Sequence, residues 1–219
     1  MSTICILPVK SFVNAKTRLS NVLSRHERVE LVKAMLIDVL CTIVETKEVS
    51  RVIVVTPGED VKRVASEFNK VIVINDLGVG QIEAVRKAME YAGKNFRVNR
   101  LILAVGDTPL ITREDVSFVL SQACSKHSIA MIPSIDGGTN LMVQHPPGVI
   151  DLMYGPGSFH KHLRRALESK VKTSIYVSEG AVIDVDDSRD LVELMHACSS
   201  IPHEAGINTC KLVKSLVKS

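Results

Sequence analysis

Asp184 and Asp186 stand two residues apart in the run IDVDD, residues 183–187. On extended backbone that spacing puts both carboxylates on one face. Two such charges about 4 Å apart repel by roughly 4 kcal/mol at an effective dielectric of 20. A pair like this takes up a proton or binds a cation. A third carboxylate, Asp107, follows Gly106 in GDTPL, residues 106–110, where Pro109 stops the chain from continuing as strand. Oxygen ligands of this kind suit Mg²⁺. Plainer roles exist beside the metal. Asp107 can cap a turn, and residues 184–187 can form an acidic turn ahead of a helix, a role that fits Asp187 and Ser188 better than Asp184.

The stretch PVKSFVNAKTRLS, residues 8–20, has the opposite character: Lys10, Lys16 and Arg18 with no acid among them. It contains no glycine, so a GxxxxGK[ST] phosphate loop is excluded. Long cationic side chains can instead reach phosphates from a wrapping loop, with Arg18 able to bind two oxygens at once. The alternative is a solvated basic loop. Two glycine-bearing segments complete the inventory, DGGTN at 136–140 and YGPGSFHKH at 154–162. Their glycines allow close approach of backbone to a ligand, and Thr139 and Ser158 supply hydroxyls. Ser158 is also placed to cap a helix beginning near Phe159, whose free N–H groups would favour an anion. Lys161, Arg164 and Arg165 add positive charge, or form a solvated face. The seven histidines show no HExxH spacing, and HKH at 160–162 reads as surface. No GxSxG elbow and no activated thiol is apparent. Cations, carboxylates and anion loops together suit phosphate chemistry with Mg²⁺.

Alternating apolar runs and helical patterns must hold these residues. Strands are expected at 4–7, 51–56, 70–74 and 100–105, and helices at 24–44, 59–68, 80–96 and 112–124. Ser24 and Glu27 form a capping-box pattern. Strands apolar on both faces, alternating with helices, predict a mostly parallel sheet covered on both sides, with chemistry at the carboxyl ends of its strands. Beyond residue 125 the rhythm becomes β-rich. Two strands flank the DGG turn, KTSIYV (172–177) and AVIDVD (181–186) read as further strands, and helices are expected at 160–169 and 188–198. A single α/β domain over 1–219 is expected. Its parts are a nucleotide-binding half at 1–125, an acceptor half at 126–199 and a helical tail at 200–219. In the tail, Ile207, Leu212, Val213, Leu216 and Val217 fall at helical spacing, so it packs back on the domain or bridges a homodimer.

The chain has 219 residues, 46% hydrophobic and 23% charged, enough apolar content for a packed core. A net charge of +3 is too mild to indicate nucleic-acid binding. The five cysteines are scattered without CxxC spacing, which predicts reduced thiols. No signal peptide or membrane span is recognisable, so a soluble cytoplasmic protein is expected.

Five segments, LPVKSFVNAKTRLS, GDTPLI, PSIDGGTNLM, YGPGSFHKH and DVDDSRDL, resemble in that order the 2-phospho-L-lactate guanylyltransferases, the CofC family. The likeness runs from about residue 4 to 191. It implies a fold like the nucleotide-diphospho-sugar (GT-A) transferases. It implies transfer of GMP from GTP to 2-phospho-L-lactate, or to phosphoenolpyruvate as in bacterial relatives, with release of diphosphate, toward coenzyme F-420. The roles it implies are Mg²⁺ ligation by Asp107, Asp184 and Asp186, with Asp107, Lys16 and Arg18 catalytic. Lys16, Thr139, Gly155, Gly157 and Ser158 would contact the small phosphorylated acid. Pro8, Lys10, Arg18, Gly80, Gln81, Glu83 and Gly106 would contact the nucleotide. Relatives carry GLN-x-A where this chain has GQIEA at 80–84, so Ile82 replaces an asparagine and Gln81 or Glu83 is left to meet the base. A sugar-phosphate or molybdopterin-type acceptor, and a catalytically silent nucleotide binder, are the alternatives. An unstable product would favour transient contact with the next enzyme.

Overall fold

The computed structural model describes residues 2–76, 80–200 and 205–216. Its frame is a seven-stranded sheet in the order β3-β2-β1-β4-β6-β5-β7. The strands are β1 Ser2–Pro8, β2 Val49–Thr56, β3 Val71–Asn75, β4 Val98–Ala104, β5 Ser128–Pro133, β6 Thr139–His145 and β7 Lys172–Ile175. The first four pair in parallel. β6 alone runs against its neighbours, β4 and β5, and β7 lies parallel to β5. The β-rich second half thus extends the same sheet.

Both faces are covered, as the apolar strands require. In β1, Cys5 and Leu7 enter one core while Ile4 and Ile6 enter the other, and all four are fully buried. The first face carries α1 Arg25–Glu45, α2 Glu59–Ala65, α4 Arg113–Gln122, α6 Ser188–Ser200 and α7 Ile207–Leu216; the second carries α3 Gln81–Asn95 and α5 Ser158–Glu168. The capping box that begins α1 is present. Ser24 Oγ accepts from the Glu27 amide at 3.3 Å, and the Glu27 carboxylate accepts from the Ser24 amide at 2.7 Å. Leu31, Met35, Val39 and Ile43 then form its fully buried stripe.

Two expectations need correction here. AVIDVD is not a strand. Its backbone groups bond singly to different neighbours: Ile135 N to Val182 O at 3.2 Å, and Val185 N to the carbonyl of Asp107 at 3.2 Å. It is a strap stitched across the strand ends, and a strap cannot share a ladder with one partner. A methyl group at Gly180 would lie 2.6 Å from the Leu110 carbonyl, so only glycine lets it pass this close to the Asp107 turn. Nor are all cysteines reduced, because Cys198 and Cys210 form a disulfide joining α6 to α7. Their partnership is set by helix packing, which brings the two Cα atoms to 5.4 Å.

The tail packs back. Asp38, buried in α1, accepts from the amides of Asn208 and Thr209 and from both their side chains, at 2.7–3.1 Å. A carboxylate there satisfies the free N–H groups that begin α7. Val217 and residues 201–204 lie outside the described residues. Among the described residues no helix is long and apolar enough to cross a membrane.

Candidate active site

The basic loop after β1 folds as two short 3₁₀ turns, Phe12–Asn14 and Thr17–Leu19. Phe12 and Leu19 are buried and anchor it to the core. Asp60, in the first turn of α2, accepts from the Phe12 amide at 2.7 Å and from Ser11 Oγ at 3.0 Å. Between the anchors Lys16 has φ +51, a left-handed conformation that costs a residue with a Cβ about 1–3 kcal/mol. The loop holds no acid of its own, yet Lys16 is neither a solvated cation nor free for a phosphate alone. Its ammonium pairs with Asp107 and, at 2.7 Å, with Asp186, with one tenth of its side chain exposed. Burial favours the neutral amine, but the charges and hydrogen bonds of the two carboxylates outweigh it and raise the pKa above its ordinary value. Lys10 and Arg18 are exposed, and neither has an ion-pair partner among the described residues.

The strap supplies Asp184 and Asp186. Ile183 and Val185 are buried while the alternate aspartates face the other way, so the two-residue spacing works on extended backbone without a ladder. Carboxylate oxygens of Asp184, Asp186 and Asp136 lie within 4.8 Å of one another. Burial, then the charges of Asp107, Asp136 and Asp186, push Asp184 up to about 7. Asp107 thus joins through the shared Lys16 and through its field on Asp184, while Asp136 occupies the third place within coordinating reach. An all-carboxylate donor set with such crowding fits a hard divalent cation such as Mg²⁺. Asp187 serves the plainer role expected of it, accepting from the amides of Arg189 at 2.8 Å and Asp190 at 3.4 Å at the start of α6.

No local pattern marks Asp136 as a carboxylate of this group. The glycines of its DGG turn suggest a ligand loop, and the one available signal for the acid is its place just beyond the carboxyl end of β5. The turn also touches the next element, since the Phe159 amide donates to Gly137 O at 3.2 Å. Gly157, at φ +66, is the residue before α5. Ser158 is therefore the first helical residue and not the cap, and its hydroxyl donates to Thr139 Oγ1 at 3.2 Å. The surface assignment for HKH holds for His160 and fails for His162, which is fully buried. Ser158, His162 and Ala166 follow one another at four-residue steps along the buried face of α5, and that periodicity was the missed signal. His162 Nδ1 lies 3.1 Å from Thr139 Oγ1, and its Nε2 accepts from the Met153 amide at 2.9 Å. Burial, helped by Lys161, holds the ring down to about 4, so it is neutral near pH 7.

One sheet edge therefore carries Lys16, Asp107, Asp136, Asp184 and Asp186, with Thr139 and Ser158 attached through the DGG turn. Gly80, Gln81 and Glu83 begin α3, where Glu83 pairs with Arg86. No described contact ties these three to the acidic group. A groove of roughly 870 Å³ between α3 and residues 146–152, lined by Ile82, Arg86, Met89, Phe96, Leu101 and Ile150 among others, includes none of the acids of that group.

A nucleotide-diphospho-sugar transferase-type protein from Desulfovibrio desulfuricans G20 superposes with a TM-score of 0.79, covering 100% of this chain and 98% of that one at 19% identity, which establishes the shared GT-A-like fold. A 2-phospho-L-lactate guanylyltransferase of Methanothermobacter thermautotrophicus is 35% identical over 195 residues, 89% of this chain and 85% of that protein. A phosphoenolpyruvate guanylyltransferase of Conexibacter woesei is 31% identical over 202 residues, covering 91% and 90%. Residues 3–205 match the family described as guanylyl transferase CofC like, and the chain belongs to that family.

Proposed function

We propose that the chain transfers GMP from GTP to a three-carbon phosphorylated acid, 2-phospho-L-lactate or phosphoenolpyruvate, toward coenzyme F-420. Guanylyltransferase chemistry is common to the family; the acid and the metal are the finer part of the reading. The observation that carries it is the juxtaposition of an acidic cluster with one embedded ammonium, at Asp107, Asp136, Asp184, Asp186 and Lys16, and a neutral hydroxyl pair, Thr139 and Ser158, on either side of one turn.

A phosphate oxygen of the acid attacks the α-phosphorus of GTP; the bond to the bridging oxygen breaks, and diphosphate leaves with that electron pair. The attacking phosphate has its second pKa at about 6 and is mostly dianionic at neutral pH, so no general base is required. This agrees with a buried histidine held neutral and away from solvent. What the site must supply is charge cancellation and alignment. Mg²⁺, held by Asp184 and Asp186 with Asp107 or Asp136, would withdraw charge from the triphosphate and the leaving group. Lys16 brings a fixed positive charge to the same place. Arg18 and Lys10, exposed on the wrapping loop, are available to the β- and γ-phosphates. Thr139, Ser158 and the backbone at Gly155 and Gly157 hold the acid. Gly106 and Pro8 border the nucleotide, and Gln81 or Glu83 meets the base.

The test is diphosphate release measured for the four nucleoside triphosphates crossed with both acids, with and without Mg²⁺. Release that requires GTP, one of these acids and the cation supports the reading. Release with a sugar phosphate and neither acid would replace it.

A further inference from the structure

We propose that His162 is a positioning residue for the acceptor acid: anchored on the Met153 amide, its ring compels the Thr139–Ser158 hydroxyl pair to present one O–H to the bound anion. The inference rests on the reading that Thr139 and Ser158 hold that acid.

Counting protons leads to it. A backbone amide can only donate, so Nε2, at 2.9 Å from the Met153 nitrogen, must accept. The single proton of the neutral ring then sits on Nδ1. From there it donates to Thr139 Oγ1 at 3.1 Å. Ser158 Oγ lies 3.2 Å from the same oxygen. Two hydroxyls in contact spend one proton on each other, whichever of them donates. In the opposite tautomer Nδ1 would accept, and the second hydroxyl proton would be spent on it. In the tautomer fixed by Met153 that outlet is closed. One O–H of the pair is left without an acceptor among the described groups.

Thr139 and Ser158 are both buried, so an O–H without a partner is costly there. A phosphate or carboxylate oxygen is the acceptor that satisfies it. The ring cannot relieve the site by protonating, because an imidazolium would present a second donor to the Met153 amide. The groups facing it give no counter-charge: Tyr154 meets it edge-on, with ring centroids 5.9 Å apart, and the adjacent Lys161 is cationic. The ring is thus a fixed donor, and it leaves the hydroxyl pair one O–H to donate, which a phosphate or carboxylate oxygen accepts more strongly than a neutral oxygen does.

The first experiment uses the wild-type protein. A long-range ¹H–¹⁵N NMR spectrum of histidine-labelled enzyme is expected to show His162 with its proton on Nδ1; a proton on Nε2 overturns the proposal. The second compares H162N, whose amide lies near the Nδ1 position, with H162Q, whose amide oxygen lies near Nε2 and keeps only the Met153 contact. H162Q removes the donor that orients the pair, leaving its O–H free to rotate, and should raise KM for the acid about tenfold with KM for GTP nearly unchanged. H162N should recover most of that loss. In a T139V background, H162Q should add nothing further. Equal losses in both variants that follow their melting temperatures, or additive losses with T139V, overturn the proposal. Absence of wild-type turnover with any phosphorylated acid removes the acceptor reading and this inference together; wild-type turnover with the wrong tautomer removes this inference alone.

Discussion

The acidic side and the hydroxyl side of the site meet at the DGG turn, yet they are held in order by different physics. On the acidic side four carboxylates gather, and one ammonium pairs with two of them, Asp107 and Asp186. The group is a balance of charges, and a counter-ion of the right sign can be exchanged for another. On the hydroxyl side there is no net charge. Order there comes from one buried ring whose tautomer is set by a backbone amide and passed on to two hydroxyls. On the proposed reading, the difference means that the two reactants would be handled separately. The charged side suits a triphosphate with its cation, and the neutral donor side suits a small anion that must be oriented and not merely attracted.

The largest expected effect breaks the charged side alone. Asp107→Asn removes one carboxylate from Lys16 and from the cluster, and turnover should fall a few hundredfold, a loss of ~3–4 kcal/mol in transition-state stabilisation, with the melting temperature little changed. A variant keeping more than about a tenth of wild-type turnover, a loss under ~1.4 kcal/mol, would mean that Asp107 is structural.

The next concerns the neutral side and acid stability. An unfolded histidine titrates near 6.5 and His162 near 4, so between those values the unfolded chain binds the extra proton. The stability this contributes is complete above about pH 6.5 and is lost as pH falls toward 4, up to about 3 kcal/mol in all. Urea melts of wild type and H162Q at successive pH values should therefore converge as pH falls through that window. Parallel curves would show that His162 does not titrate with unfolding.

A smaller effect distinguishes exchangeable from fixed charge. Lys16→Met leaves Asp107 and Asp186 without their shared cation. Because Asp186 is about half exposed, solvent screening limits the stability loss to roughly 1–2 kcal/mol. Mg²⁺ should then raise the melting temperature of this variant more than that of wild type, since the ammonium no longer competes for the carboxylates. Equal shifts would place the cation elsewhere. The smallest effect belongs to the exposed cations. K10A and R18A should each weaken GTP binding at low salt, and the difference should fade as ionic strength rises. A loss independent of salt would mean a packing role instead.

Much of the frame is legible in the residues. The capping box at Ser24 and Glu27, the strands apolar on both faces and the alternation of Asp184 with Asp186 are written within a few neighbouring positions. Local backbone geometry is enough to read them. The AKTRLS, GDTPL, DGGTN, GPGSF and DVDD runs that stand out in the sequence each contribute a residue to the candidate site. What failed were statements about partners. AVIDVD has the apolar alternation of a strand, but whether it joins a ladder depends on a neighbouring edge, and β6 and β7 had already taken the positions beside β5. Cys198 and Cys210 carry no spacing that announces a bridge.

By itself the sequence determined the parallel strands, the main helices and their buried stripes, and which side chains are available for phosphate chemistry. Each of these follows from periodicity and capping over a turn or two of chain. Only the tertiary structure decided that Lys16 meets carboxylates 91 and 170 residues away, that Asp136 joins Asp184 and Asp186, and that His162 faces inward to Thr139. Such meetings are fixed by where the sheet order and its connecting loops deliver each strand end, and no local pattern of residue types encodes that distance.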